Sequence, residues 1–510
     1  MVTLHLNNPQ HDISELLFFS KSQKKPAKVL FAASNTDVAN ADEEEYYVGP
    51  IHVTTNGVAH GIGVVASRDI DAGECLFVIP AALSADMNTV FQEWSKAQKS
   101  NAAAEESNSS AEQTVLEKIS EEVLVQSMKE ASHAEDDKQK ALAYSFLLQL
   151  SSGEGEDARK VDIPSDNETL VKALVGKSKD PPSTPSDIDD AKLLEIIRRN
   201  AFGPDFYSYE SVEKKWNSVL LESSPTASSP DSPSRLLGLY PLAAMLNHSC
   251  VPNAIRVFAC GQWMIVHACS NIKQGEEIVW SYLPPVLPFP QRRQQLQERH
   301  GFVCHCVRCQ KEEEAAASKS DIFVLPSNLQ PFEKPGSISA VNTDSETRLQ
   351  FTKDLIDWEQ SIFVDNSGFS NEAKRYWKMG NVTLYMHYLN SVLMDLPNHN
   401  PKEVEALREA VLKTAMELHF AFLSCSMAST EHISVLHLCY ELVAVMHSRA
   451  ADQSKTLPKV KFWTEQLKRA HMTRYGNLGA NVEKIRGVMK HTQLVLRNQN
   501  GLAAAQFDFI

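Results

Sequence analysis

Three cysteines fall within six residues, Cys304-His305-Cys306-Val307-Arg308-Cys309, and no other stretch constrains this chain as strongly. Soft ligands at this spacing suit zinc, which takes four in a closed tetrahedral site. No fourth cysteine follows closely after Cys309. On the residues alone the choices are a reduced, metal-free cluster, a site completed by His305, or one completed from elsewhere. The chain has nine cysteines; Cys75, Cys250, Cys260, Cys269, Cys425 and Cys439 are scattered. An odd count without a secretory-type N-terminus predicts reduced thiols in the cytoplasm or nucleus.

The length of 510 residues allows two or three domains, and 43% hydrophobic residues predict that most of it folds. The formal net charge is -14. Phosphate attraction needs a basic face, so direct nucleic-acid binding is not expected. An acidic surface keeps the chain soluble and suits a basic peptide partner. Leu16-Leu17-Phe18-Phe19 is too short for a signal sequence, and no apolar run is long enough to span a membrane. Lys21, Lys24, Lys25 and Lys28 form a small basic cluster that reads as a solvated loop more readily than as a nuclear address.

Residues 1–48 read as a poorly ordered leader ending in Asp42-Glu43-Glu44-Glu45. Strands are predicted at Ile51–Thr54, after Gly61-Ile62-Gly63, and at Leu76–Pro80, with Asp71-Ala72-Gly73-Glu74 as a turn. No GxGxxG opens a helix here, which argues against a dinucleotide fold. Helical patterns around Val90, Phe91 and Trp94 and around Tyr144 flank an acidic, Ser-rich stretch at 101–137. Residues 151–190 and 222–234 read as loops, with a helix at about 188–200 between them. Further strands are predicted at Ala254–Phe258 and Gln262–Ala268, joined by Cys260-Gly261. Gln291–Arg299 reads as a short helix whose Arg292, Arg293 and Arg299 are solvated, and Lys311–Ser318 as a transition. Helices follow at 346–363, 370–395, 401–424, 430–448, 457–474 and 480–498, without a strict repeat consensus.

The order of motifs is more specific than any one of them. Asn247-His248-Ser249-Cys250-Val251-Pro252-Asn253 comes first, then Gly275-Glu276-Glu277-Ile278-Val279-Trp280-Ser281-Tyr282, then the cysteines. This series resembles the catalytic end of SET-domain protein-lysine methyltransferases with a post-SET zinc site, and among them the SMYD branch. The resemblance covers about 49–80, 190–202 and 236–310. It departs from that branch in one respect. A MYND zinc finger needs several further cysteines, and 81–150 contains none.

The resemblance implies an α+β fold. A SET β-fold at 49–283 would carry helical and low-complexity insertions at 84–235. A post-SET zinc region at 284–318 would follow, then an all-α, tetratricopeptide-like domain at 345–510. It implies S-adenosylmethionine and zinc as cofactors, and a protein substrate with a target lysine. No membrane partner and a monomer are expected. Tyr282 would be the catalytic residue. Gly61, Ile62, Gly63, Asn200, Asn247, His248 and Phe302 would hold the methyl donor, with Phe302 against the adenine. Cys250 would join Cys304, Cys306 and Cys309 as the fourth zinc ligand. Where many SMYD sequences carry a second tyrosine, this chain has His300, which bears on channel shape and on the number of methyls transferred. The alternative is a SET-fold scaffold that binds partners with little activity. A zinc-containing transcriptional adaptor would need a basic face that the charge does not provide.

Overall fold

The structure, a computed structural model, describes residues 46–59, 61–84, 93, 118–119, 121–129, 174, 190–202, 238–259, 263–319, 321–332, 343–363 and 369–475. Several expectations lie outside these residues. They are the leader before 46, most of the insertions between 85 and 237, the Cys260-Gly261 turn and the helix at 480–498.

Short, β-rich segments build the first half. β1 (Tyr47–Val48), β2 (Ile51–Thr54), β3 (Gly63–Ala66), β4 (Cys75–Pro80) and β5 (Leu83–Ser84) precede α1 (Asp190–Asn200) and β6 (Ala201–Phe202). Then come β7 (Gly238–Leu239), α2 (Pro241–Ala244), β8 (Asn247–His248), β9 (Ala254–Ala259), β10 (Trp263–Ala268) and β11 (Val279–Trp280). The largest sheet has the order β1-β4-β10-β9. β4 is central and apolar on both faces, with Leu76, Phe77, Val78 and Ile79 all buried. That continuous run suits a strand covered on both sides. Two smaller sheets pair β2 with β3 and β5 with β7 and β6, all antiparallel. One core joins these sheets to Leu193, Ile196 and Ile197 of α1 and to Leu124 and Met128 of a helical stretch at 121–129. Tyr47 and Val48, inside the expected leader, pair with Val78 and Phe77 and so belong to the main sheet.

The second half is helical: α3 (Phe289–His300), α4 (Val307–Ser318), α5 (Ser345–Phe363), α6 (Asn371–Gly380), α7 (Val382–Asp395), α8 (Pro401–Cys425), α9 (Thr430–Arg449) and α10 (Gln453–Tyr475). The boundaries follow the expected end signals. Gly301 ends α3 at φ 74, a left-handed cap that favours glycine. Asn400 and Glu403 form a capping box before α8. Two expectations need correction. The helix at 370–395 is two helices, broken at Asn381, whose side chain bonds the Trp377 carbonyl. The proposed transition at Lys311–Ser318 is the body of α4.

The two halves are packed together. α4 lies on α6, and the end of α10 meets β9 and β10. Gly380, ending α6, sits so close to Pro288 that an added Cβ would lie 3.2 Å from its Cα. No described helix is long and apolar enough to cross a membrane.

Buried histidines mark the helical half and this junction. In the α8–α9 pair, the Ala428 N–H donates to His432 Nδ1, so His432 Nε2 carries the proton and donates to His419 Nδ1 at 2.8 Å. Burial holds His419 at about 4 and His432 well below its ordinary value. His267 of β10 and His471 of α10 are likewise pushed down to about 4, mainly by burial. The unfolded chain therefore binds more protons below the free value of about 6.5. The melting temperature should hold above pH 6.5 and fall steadily as the pH drops toward about 4. His267→Phe should flatten that slope. A flat profile in the wild type would contradict these buried neutral rings.

Candidate active site

The site is built where two short strands run side by side. β8 and β11 pair in parallel, Asn247 beside Val279 and His248 beside Trp280. The pairing continues as Ser249 N–H donates to the Trp280 carbonyl and Asn253 N–H to the Val279 carbonyl. Asn253 adds a second tie. Its Oδ1 accepts from Val279 N–H at 2.8 Å, and its Nδ2 donates to the Glu277 carbonyl at 2.8 Å. The segment before Asn247, from Gly238 to Leu246, is largely buried.

His248 is buried, and both ring nitrogens are engaged. Nδ1 accepts the Tyr282 backbone N–H at 2.9 Å. Nε2 therefore bears the hydrogen and donates to Cys250 Sγ at 3.3 Å. The ring faces inward to join Tyr282 and Cys250; it contacts Tyr282 and Phe302 by its faces and edges.

Tyr282 follows β11 by two residues, in a bend and not in the strand. Its hydroxyl donates to the Leu246 carbonyl at 2.9 Å. Burial, then the Glu277 carboxylate, keep the phenol above its ordinary pKa. The rings of His300 and Phe302 lie 4.9 and 6.3 Å from that of Tyr282. Burial, then His248, Arg199 and Arg299, hold His300 at about 4, so it is neutral near pH 7.

The glycine turn reaches the same place. Gly61 takes φ +52 with open space around its Cβ direction, so its backbone can be approached closely. Gly63 is glycine for another reason. A Cβ there would lie 2.6 Å from Val58 Cγ1 and 2.8 Å from Glu277 Oε1. Asn247 Nδ2 donates to the Ile62 carbonyl at 3.2 Å and to Glu277 Oε1 at 2.7 Å. Glu277 Oε2 accepts the Ala59 N–H at 2.9 Å. Glu277 thus fixes the glycine turn to Asn247, a role that sequence reasoning missed. Gly275-Glu276-Glu277 was visible as a turn, but nothing local marks which glutamate points inward. Asn200 differs from its neighbours in the expected set, because its amide bonds the Ile196 carbonyl of its own helix.

The four cysteines converge. The Sγ atoms of Cys250, Cys304, Cys306 and Cys309 all lie within 4.8 Å of one another. Cys250 Sγ is 4.0 Å from Cys304 Sγ and 3.6 Å from Cys309 Sγ. Zinc–sulfur bonds near 2.3 Å in a tetrahedron place sulfurs about 3.8 Å apart, so the donor set fits zinc. His305 is exposed. Hydrogen bonds from Cys304, Cys306 and Cys309 hold the Cys250 thiol well below its ordinary range. Behind the cluster lies a further correction. Arg299 is exposed and Arg293 half-exposed as expected, but Arg292 is fully buried and paired with Glu312. Glu312 also takes Arg308 Nε at 3.1 Å.

A family model described as the SET domain matches residues 61–283. This part of the chain is similar to SET domains, those of SMYD-type proteins among them. The chain is 40% identical over 80 residues to histone-lysine N-methyltransferase SMYD3 of Mus musculus, 16% of this chain and 18% of that protein. It is 31% identical over 150 residues to histone-lysine N-methyltransferase ASHR1 of Arabidopsis thaliana, 28% and 29% of the two chains. It is 39% identical over 85 residues to SET domain-containing protein SmydA-8, isoform B, of Drosophila melanogaster, 17% and 19%. The matched stretches span less than a third of each of these relatives.

Glu277→Ala should leave the Asn247 amide and the Ala59 N–H without their carboxylate. A loss of about 0.5–1.5 kcal/mol is expected in denaturant unfolding. Glu277→Gln should lose less, since its amide oxygen still accepts one bond. Unchanged stability in both would remove Glu277 from this role.

Proposed function

We propose that this SMYD-like SET protein transfers a methyl group from S-adenosylmethionine to lysine side chains of a protein substrate. The reading is carried by one observation. Asn247, His248 and Tyr282 are held together between the glycine turn and the cysteine cluster. The names of SMYD3 and ASHR1 as histone-lysine N-methyltransferases support it. The acidic chain favours a basic peptide as substrate.

The methyl donor supplies an activated sulfonium methyl. Gly61, Ile62 and Gly63 offer backbone that can be approached closely, and Asn247, His248, Asn200 and Phe302 complete the proposed pocket. Tyr282 keeps its proton at neutral pH, so it orients and does not act as a base. With its O–H given to Leu246, the phenol oxygen retains lone pairs for an amine N–H. A free lysine has a pKa of about 10.4. Exclusion of water by the rings of Tyr282, His300 and Phe302, with the positive sulfonium of the donor beside the amine, would disfavour a second charge and so favour the neutral nucleophile. Orientation and exclusion of water are the protein's main contributions.

Zinc at Cys250, Cys304, Cys306 and Cys309 would brace this arrangement as a structural ion. The C-terminal helices, proposed as a tetratricopeptide-like array, would form one wall of the substrate cleft. A monomer in the cytoplasm or nucleus is the proposed state.

Radiolabelled methyl transfer to a mixed protein extract tests the reaction. Tyr282→Phe should lower it on the order of 100-fold; equal labelling by wild type and variant would sink the role of Tyr282. No labelling together with no donor binding by calorimetry would favour a scaffold. Metal analysis should find about one zinc per chain, lost in Cys306→Ser; an unchanged content would refute the site.

A further inference from the structure

The buried pair behind the cysteines carries one charge too many. Arg292, Glu312 and Arg308 have side chains 1%, 1% and 0% exposed. Two guanidinium groups and one carboxylate leave a surplus positive charge away from water. Leu287 and Pro285 carbonyls accept from Arg292 Nη1 at 2.6 Å and Arg308 Nη1 at 2.7 Å, but carbonyls are dipoles and do not cancel it. Such a surplus is costly unless a negative group faces it.

The cysteines are that group. Phe289 and Leu296 of α3 pack in one cluster with Cys250, Cys304 and Cys309. Arg292 stands three residues after Phe289 and four before Leu296, so it shares their helix face. Its Nε–H finds no hydrogen-bond partner, although it is buried. Burial pulls the Arg292 pKa down, Glu312 and then Cys250 and Cys309 push it up, and the net direction is upward. Four thiolates around Zn²⁺ carry a net charge of 2 − 4, or −2. A buried cation beside them offsets half of that.

We propose that Arg292 is the counter-charge of the four-cysteine metal site and that it holds the ion there by its positive charge. The proposal rests on the zinc reading above. Arg292 is a positioning residue, since it acts through the thiolates. Glu312 is secondary to it and, with Arg308, keeps the guanidinium of Arg292 in place.

Zinc release from the full chain to a chelating dye tests this, with circular dichroism as the check on folding. Arg292→Met keeps the bulk and removes the charge; release should be about 10–100-fold faster, the range for metal second-shell losses. Glu312→Gln breaks the same ion pair but leaves the positive charge, so release should match the wild type or be slower. Equal acceleration in both variants would overturn the proposal, because a purely structural ion pair predicts that result. Should Arg292→Met or Glu312→Gln fail to fold, Arg292→Lys decides. Release within a few-fold of wild type supports the charge role; zinc lost at purification, with native circular dichroism, overturns it. A wild type purified without zinc would overturn the metal reading itself, and this inference with it, before any rate is measured.

Discussion

One imidazole joins the two chemically distinct parts of this molecule. His248 takes the Tyr282 N–H on Nδ1 and gives its own hydrogen to the Cys250 sulfur from Nε2. Because both nitrogens are used, its tautomer and its ring plane are fixed together. The position of the Tyr282 backbone therefore depends on where Cys250 sits, and Cys250 sits where the other three sulfurs draw it. The aromatic ring wall then inherits its placement from this bond, since the rings of His248, Tyr282, His300 and Phe302 touch one another.

Glu277 does on the other side what His248 does on this one. Its two oxygens bind Asn247 and Ala59, so the glycine turn and β8 move as one piece. Asn253 closes the gap between them by bonding both Glu277 and Val279. The helical half supports the arrangement from outside. Trp377 Nε1 donates to the Ile322 carbonyl, Gly380 abuts Pro288, and α10 ends against the main sheet near Gly73.

β2, β3 and β4 and most helices between 345 and 475 were legible, the strands from short apolar runs between turns and the helices from apolar spacing and end signals such as the Asn400 cap. The convergence of Cys250 with Cys304, Cys306 and Cys309 came from resemblance, since spacing left several ligand sets open. Arg292 was misread for a physical reason: in a helix with three arginines near its polar side, sequence alone cannot tell which one meets a buried carboxylate twenty residues away. Lys311–Ser318 was misread because its charged residues hide a helix whose inner face is Arg308, Cys309, Glu312 and Ala315. The break at Asn381 did carry a signal, Gly380-Asn381, but the apolar spacing on either side of it hid the stop.

The ties across the site span long stretches of chain: 218 residues from Ala59 to Glu277, and 59 from Cys250 to Cys309. A ribosome adds roughly 5–20 residues per second. The first strands therefore wait many seconds before Glu277 exists to receive their turn, and the sulfur cluster cannot close until Cys309 has emerged. Until residue 268 has been made, β4, with its uninterrupted apolar run, has only β1 beside it and lacks β10. A chain built this way is most exposed to mispairing midway through its synthesis, when its stickiest strand is complete and its partner has not yet been made.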